Sequence, residues 1–128
     1  MAFENVLLQY SIAAGANYSG GSEQYHAFCL EDGQLAAGGY EASGILLNKP
    51  SNGAFAEVGL MGVMKYAAGE AINAGGRIGV TTSGWFTAAA SDSYMVGTAL
   101  NTVTSGSIGT GLFSFAVPVY AFSSSFVA

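Results

Sequence analysis

Short apolar runs alternate with turns rich in glycine, serine and asparagine along this chain. Alternation of apolar and polar positions over a few residues is typical of a strand with one buried face. The apolar spacing in residues 1–10 and in residues 67–75 also allows a helical turn, but both segments are too short to form a stable helix. The pattern therefore predicts an all-β chain, with strands over residues 23–30, 45–47, 55–66, 77–81, 85–87, 94–100 and 112–122.

Two stretches, residues 27–47 and 75–100, share one order of strand, tight turn, strand, loop and strand. The turns contain Asp32-Gly33 and Ser83-Gly84, and a glycine supplies the positive φ that a tight hairpin turn requires. Four residues of the first stretch and its flank recur at one constant separation: Gly44, Leu47, Asn48 and Gly53 return as Gly97, Leu100, Asn101 and Gly106. We expect two similar β-units that pack into a small β-sandwich or barrel.

The longest predicted strand covers residues 55–66. Successive side chains of a strand point to opposite faces, so its even-numbered residues share one face. That face is almost wholly apolar and is expected to point into the core. Gly59 and Gly62 predict a bulge or a close approach of another backbone. The even-numbered residues are Ala56, Val58, Leu60, Gly62, Met64 and Tyr66.

Residues 1–21 differ from the rest of the chain. An apolar cluster is followed by a glycine- and serine-rich stretch, which favours an extended N-terminal arm on a hinge. An alternative with equal support is that this segment contains a first strand that packs on its own domain. The length of 128 residues suits one domain, so residues 22–128 are expected to form a single β-domain. The cluster consists of Phe3, Val6, Leu7, Leu8 and Tyr10.

The amino-acid composition of the chain limits the classes of macromolecule that it is expected to bind. Hydrophobic residues make up 51% of the chain and charged residues only 9%, so uncharged small residues must form much of the surface, which favours protein contacts. The net charge is -5, and the basic residues are Lys49, Lys65 and Arg77. Nucleic-acid binding and a polybasic membrane patch are therefore not expected. The charge-free stretch after Asp92 is broken by glycines, Pro118 and serines, which favours buried strands over a membrane span.

No catalytic, cofactor or metal site is predicted. His26, the one histidine, lies in an alternating apolar run and is expected to be a structural or surface residue. Cys29 is expected to be a small buried hydrophobe, and two ligands three residues apart do not complete a zinc site. The carboxylates are scattered, and the glycine-rich segments 75–79 and 106–111 lack the lysine and the following helix of a phosphate-binding loop.

Residues 28–66 resemble the capsid decoration (cement) proteins of tailed bacteriophages. After Phe28, this segment reads CLEDGQLAAGGYEASGILLNKPSNGAFAEVGLMGVMKY. The resemblance continues through an Ala-Gly step, a Ser-Gly turn and a Val-Gly-x-Ala-Leu strand in residues 68–100. It implies a virion protein, made in the host cytoplasm, that binds the outer surface of the assembled capsid. It also implies a homo-oligomer, with a trimer favoured, that holds subunits of the major capsid protein together without enzyme activity.

The N-terminal cluster, from Phe3 to Tyr10, is the hypothesis for the capsid or neighbour contact. Three other functions stay open. An adhesive or fibre module would bind a receptor or glycan in a groove lined by Trp85, Phe86 and Tyr94. A small β-enzyme would need two carboxylates that converge in a pocket, and a plain domain would only oligomerise.

Overall fold

The computed structural model describes residues 4–36, 42–89, 93–115 and 119–121. These residues form strands and one short 3-10 turn at Thr82–Gly84, and none of them is in an α-helix. Within them, no helix has the length and hydropathy to cross a membrane. The strands are β1 (Asn5–Ala13), β2 (Ala27–Cys29), β3 (Gln34–Leu35), β4 (Gly44–Leu46), β5 (Phe55–Ala67), β6 (Arg77–Val80), β7 (Phe86–Ala88), β8 (Ser93–Met95), β9 (Gly97–Ala99), β10 (Ile108–Ser114) and β11 (Val119–Ala121).

Nine of the described strands form one antiparallel sheet in the order β3-β2-β4-β5-β10-β9-β6-β7, and β1 pairs with β5 beside this path. The sheet curls strongly into a half-barrel. Its last strand, β7, returns to the end of β5, where Ala68 and Phe86 form a bridge and the Gly69 N–H donates to the Phe86 carbonyl at 2.7 Å. The all-β prediction is confirmed, and the predicted sandwich or barrel takes the form of this curled sheet.

β5 is the central strand and is hydrogen-bonded along both edges. Residues 55–63 pair with β1, while residues 58–59 pair with β4 and residues 61–67 pair with β10. Because β1 covers one edge continuously, β4 and β10 must follow each other along the opposite edge. The register with β1 shifts on either side of Leu8, and Gly62 has a φ of +126°. The predicted irregularity at Gly62 is therefore confirmed as a β-bulge.

Two hydrophobic clusters cover opposite faces of the sheet. Ile45 and Met64 belong to the larger cluster, whereas Leu46 and Val58 belong to the smaller one. Since neighbouring residues of β4 point to opposite faces, the clusters lie on opposite sides. The predicted even-numbered face of β5 is largely buried, since five of its six residues are buried and Leu60 is partly buried. It does not serve one core, however, because the bulge at Gly62 turns the second half of β5 toward the other cluster.

The larger cluster fills the inside of the curl with aromatic rings. Phe113 of β10 lies with its ring centre 5.6 Å from Tyr66 and 5.5 Å from Phe86, both in edge-on geometry. Phe115 stacks on Phe113 at 5.7 Å with an angle of 4° between the rings. Such aromatic pairs contribute beyond the area they bury. The ring cluster therefore connects β5, β7 and β10.

Both predicted hairpins are present, and three predicted strands differ from the structure. Predicted strand 23–30 is shortened to β2, because residues 22–25 form turns in which Tyr25 has a φ of +70°. Gly33 and Gly84 have φ values of +70° and +75°, at the turns between β2 and β3 and between β6 and β7. Predicted strand 94–100 divides into β8 and β9, which pair with different partners. Predicted strand 112–122 begins earlier, at Ile108, and contributes to β10 and β11 in separate sheets. Long-range pairing decides both breaks, and the local apolar pattern does not encode it.

Candidate docking surface

Four of the five predicted contact residues lie on β1, and Phe3 lies outside the described residues. Leu7, Leu8 and Tyr10 are 69%, 50% and 58% exposed. Val6 differs, since it is partly buried and packs against the larger cluster. The structure thus brings three large apolar side chains to the surface of one strand, here named the β1 patch (Leu7, Leu8 and Tyr10).

β1 is an edge strand with little protection. In the described part of the chain it pairs with β5 alone, so its other edge carries backbone groups outside the sheet. Residues 5–13 contain no charged side chain and no proline, the usual devices that keep an edge strand from pairing. The bulge beside Leu8 is its one irregularity. An exposed apolar edge of this kind is a surface suited to another protein.

An open groove of about 600 Å³ continues from the β1 patch across the sheet. Leu7 of β1, Met61 of β5 and Leu112 of β10 are among the residues that line it. Arg77 contributes the positive charge of the groove, and its Nη1 donates to the Thr98 hydroxyl at 3.0 Å. The groove and the β1 patch together form a mainly apolar surface with one cation.

A second concave region surrounds Trp85. A cleft of about 330 Å³ lies against Trp85 and is also lined by Thr81, Thr87 and Ser105. A neighbouring cleft of about 270 Å³ shares Trp85 and Gly106 with it. Of the residues whose groove would favour an adhesive module, Trp85 lines these clefts. Phe86 is fully buried in the core and does not line either cleft, and the side chain of Tyr94 lies outside the described part.

His26 is a packed structural residue, as its sequence context predicts. It is 4% exposed, and its ring lies 4.4 Å from the Trp85 ring in an edge-on contact. Its Nδ1 lies 3.3 Å from the Gln24 carbonyl. Burial lowers the pKa of His26 below its usual value, so the ring is neutral at neutral pH. Cys29 is buried and unpaired, as predicted for a small core residue.

The described residues hold no group of three or more histidine, cysteine, aspartate or glutamate side chains placed to bind a metal ion. Sequence reasoning found the β1 patch but missed the groove beside it. Leu112 could have been found, because its alternation with Phe113 puts it on the face opposite the core. Arg77, Met61 and Met95 come from separate strands, and no local signal in the sequence joins them.

No protein-family model matches the chain, and no curated protein matches it in sequence. Among solved structures, the chain is similar to the N base of the head fibre gp8.5 of bacteriophage phi29, known from a crystal structure. The match has a TM-score of 0.66 and 16% sequence identity, and it covers 84% of this chain and 94% of that one. At this identity the likeness shows a shared fold.

Proposed function

We propose that this chain is a structural protein of a phage virion that attaches to the outer surface of the assembled capsid. The observation that carries the proposal is the β1 patch, an uncharged edge strand with Leu7, Leu8 and Tyr10 exposed. The similar fold of a head fibre base supports it, as does the resemblance to capsid decoration proteins. Burying an uncharged surface is favourable because few charges lose their water.

The finer proposal is that the protein stabilises contacts between subunits of the major capsid protein. A contact surface built from β1 and the adjoining groove extends across several strands, which suits a junction between two capsid subunits. The alternative is an adhesive or fibre module that uses the capsid only as an anchor. The two differ in their effect on the shell, because a cement protein raises shell stability and a simple anchor does not.

A homo-oligomer, with a trimer favoured, is part of the proposal. Three linked copies would place three β1 strands on the shell at once, and linked binding raises avidity without new contacts. The apolar groove with Met61, Leu112 and Arg77 provides further surface for a neighbouring copy. Sedimentation velocity tests this directly, since each chain has a mass of 12.9 kDa.

We also propose that residues 1–21 act as an arm on the domain formed by residues 22–128. Seven of the nine residues of β1 are exposed, although Ala14 and Tyr18 anchor the following segment in the smaller cluster. Deletion of residues 1–10 should leave a cooperatively unfolding domain that no longer binds shells. Loss of the cooperative transition would show instead that β1 is an essential part of the domain.

We also propose that the scaffold originated as two similar β-units. The support for this proposal is the strand order, which reads β3-β2-β4-β5 in one half and β7-β6-β9-β10 in the other. Each half has a hairpin whose first strand also pairs with the third strand of its unit. Gly44 begins β4 and Gly97 begins β9, in agreement with their matching places in the repeat.

The binding test uses empty shells of the virus whose genome encodes the chain. We expect the protein to sediment with assembled shells at a fixed ratio and not with free capsid subunits. Replacing the β1 patch with serine (Leu7→Ser, Leu8→Ser, Tyr10→Ser) should weaken binding at least tenfold. Serine at Leu100 and Ile108, which are 48% and 41% exposed away from β1, is the matched control and should bind normally.

The heat stability of decorated shells separates the two forms of the proposal. A rise in the temperature of shell disruption supports the cement function, whereas binding with no rise supports an anchor for a fibre. A protein with no affinity for any assembled shell would overturn both. Equal loss of binding in the β1 variant and in the control would assign the contact to another surface.

A further inference from the structure

From the two clefts around Trp85, we infer that the protein has a binding site for a neutral oligosaccharide. The inference is independent of capsid binding, because the site shares no residue with the β1 patch or the groove beside it. The two clefts meet at Trp85 and Gly106 and together reach the size range of ligand pockets, roughly 300–1,000 Å³.

The chemistry of the walls favours a sugar. A sugar ring has an apolar face of C–H groups that stacks on an aromatic ring, and hydroxyl groups around its rim. The first cleft is lined by the half-buried Trp85 and by three residues that carry hydroxyl groups, Thr81, Thr87 and Ser105. The Ser105 hydroxyl donates to the Gly69 carbonyl at 3.0 Å, so toward a ligand it can act as an acceptor.

The charge around the clefts favours an uncharged ligand. No lysine, arginine, aspartate or glutamate lines either cleft. His26, in the second cleft, is neutral at neutral pH because burial lowers its pKa. The chain as a whole carries a net charge of -5. The walls themselves thus hold no cation for a polyphosphate or an acidic glycan, although Lys65 Nζ lies 5.6 Å from the centre of the Tyr25 ring and the Lys49 side chain lies beside Gly21.

The Trp85 ring is held in place before a ligand arrives. A Cβ atom at Gly69 would lie 3.0 Å from the Trp85 Cβ and 3.4 Å from its Cγ, so the glycine leaves space for the tryptophan. His26 packs against the ring edge-on at 4.4 Å. The Thr81 N–H donates to the Trp85 carbonyl at 2.9 Å and fixes the backbone of the turn. A fixed ring costs less conformational entropy when it binds.

Trp85 is the one tryptophan of the chain, so intrinsic fluorescence reports on this site alone. The probes are maltotetraose, cellotetraose and tetra-N-acetylchitotetraose, each titrated into the intact protein at neutral pH, with isothermal calorimetry in parallel. We expect at least one probe to change the tryptophan emission saturably and to release heat with the same dissociation constant. No saturable response to any of the three would overturn the inference.

Variants test which groups bind the probe that responds. Thr87→Val removes one hydroxyl at nearly constant shape, and Gly69→Ala displaces the ring without removing any group that would touch a sugar. Each should weaken binding at least fivefold, while Leu112→Ser in the other groove should leave the dissociation constant unchanged. Unchanged affinity in both site variants would show that the probe binds at another place on the protein. Stronger binding of heparin than of every neutral probe would contradict the neutral-ligand assignment.

Discussion

β1 and β10 pair with opposite edges of the same strand, β5, and have opposite exposure. Seven of the nine residues of β1 are exposed, whereas four of the seven residues of β10 are buried. Gly62 of β5 pairs with Val6 of β1 along one edge and with Phe113 of β10 along the other. Val6 is partly buried, and Phe113 is 1% exposed at the centre of the aromatic cluster.

Backbone pairing therefore does not decide which strand stabilises the domain. β10 continues the sheet to β9 and into the curl, so its side chains are covered from several directions. β1 ends its branch of the sheet, and most of its side chains have nothing over them. Stability should therefore depend mainly on β10, and contacts with other proteins mainly on β1.

The largest effect is expected from Phe113→Ala in β10. The substitution removes a buried ring that contacts Tyr66, Phe86 and Phe115. Such a truncation leaves a cavity and should lower the free energy of unfolding by about 3–5 kcal/mol, measured by urea denaturation. Leu112→Ala, one residue earlier and 52% exposed, is the matched control and should cost under about 1 kcal/mol. Equal losses in the two variants would contradict the burial of β10.

The second effect is expected from Gly62→Ala at the bulge between β5 and β1. The residue has a φ of +126°, and a Cβ there would lie 2.6 Å from the Asn5 carbonyl oxygen. We expect a loss of about 1–3 kcal/mol and faster hydrogen exchange of β1 amides, with β10 amides still protected. Gly53→Ala separates the two causes, since Gly53 has a φ of +86° with open space around it.

The bulge also shows how much of the fold can be predicted from the sequence. Gly59 and Gly62 predicted an irregularity in the longest strand, and the even-numbered face of that strand is buried as expected. The presence of a separate cluster on each face could not be predicted. It depends on β4 and β10 sharing one edge of β5, which long-range pairing decides.

The residues of the candidate sites also differ in whether they could be predicted from the sequence. Leu7, Leu8 and Tyr10 could be found because an apolar run without charges near a glycine-rich segment is a local feature. Trp85 could also be noticed as an aromatic residue after a turn. Gly69 and Ser105 reach its cleft only through the folding of the sheet, and nothing near them in sequence indicates it.

The third effect concerns Tyr66, in the aromatic interior that β10 covers. Its hydroxyl is buried and has no hydrogen-bond partner among the residues that the structure describes, and burial raises its pKa to about 12. Tyr66→Phe removes this unsatisfied group and should stabilise the protein by about 1 kcal/mol, measured by urea denaturation at pH 7. A loss of more than about 1 kcal/mol would indicate that the hydroxyl has a partner after all.

The pH dependence of the same residue has a definite sign. The unfolded chain releases the phenol proton near pH 10, whereas the folded protein keeps it to about pH 12. The unfolded state therefore holds fewer protons in this window, and the free energy of unfolding should fall as the pH rises through it. Tyr66→Phe should flatten this decline relative to the unsubstituted protein, and an identical decline would assign it to other groups.

The smallest effect is expected on β1. Gln9 Nε2 donates to Glu57 Oε1 across the pair of strands at 2.9 Å, on a solvent-exposed surface. Water competes for both groups, so Gln9→Ala should change the free energy of unfolding by less than about 0.5 kcal/mol. A double-mutant cycle with Glu57→Ala should likewise give a coupling below about 0.5 kcal/mol. A coupling above about 1 kcal/mol would mean that β1 is fixed in the domain as firmly as β10, and the contrast between the two strands would be lost.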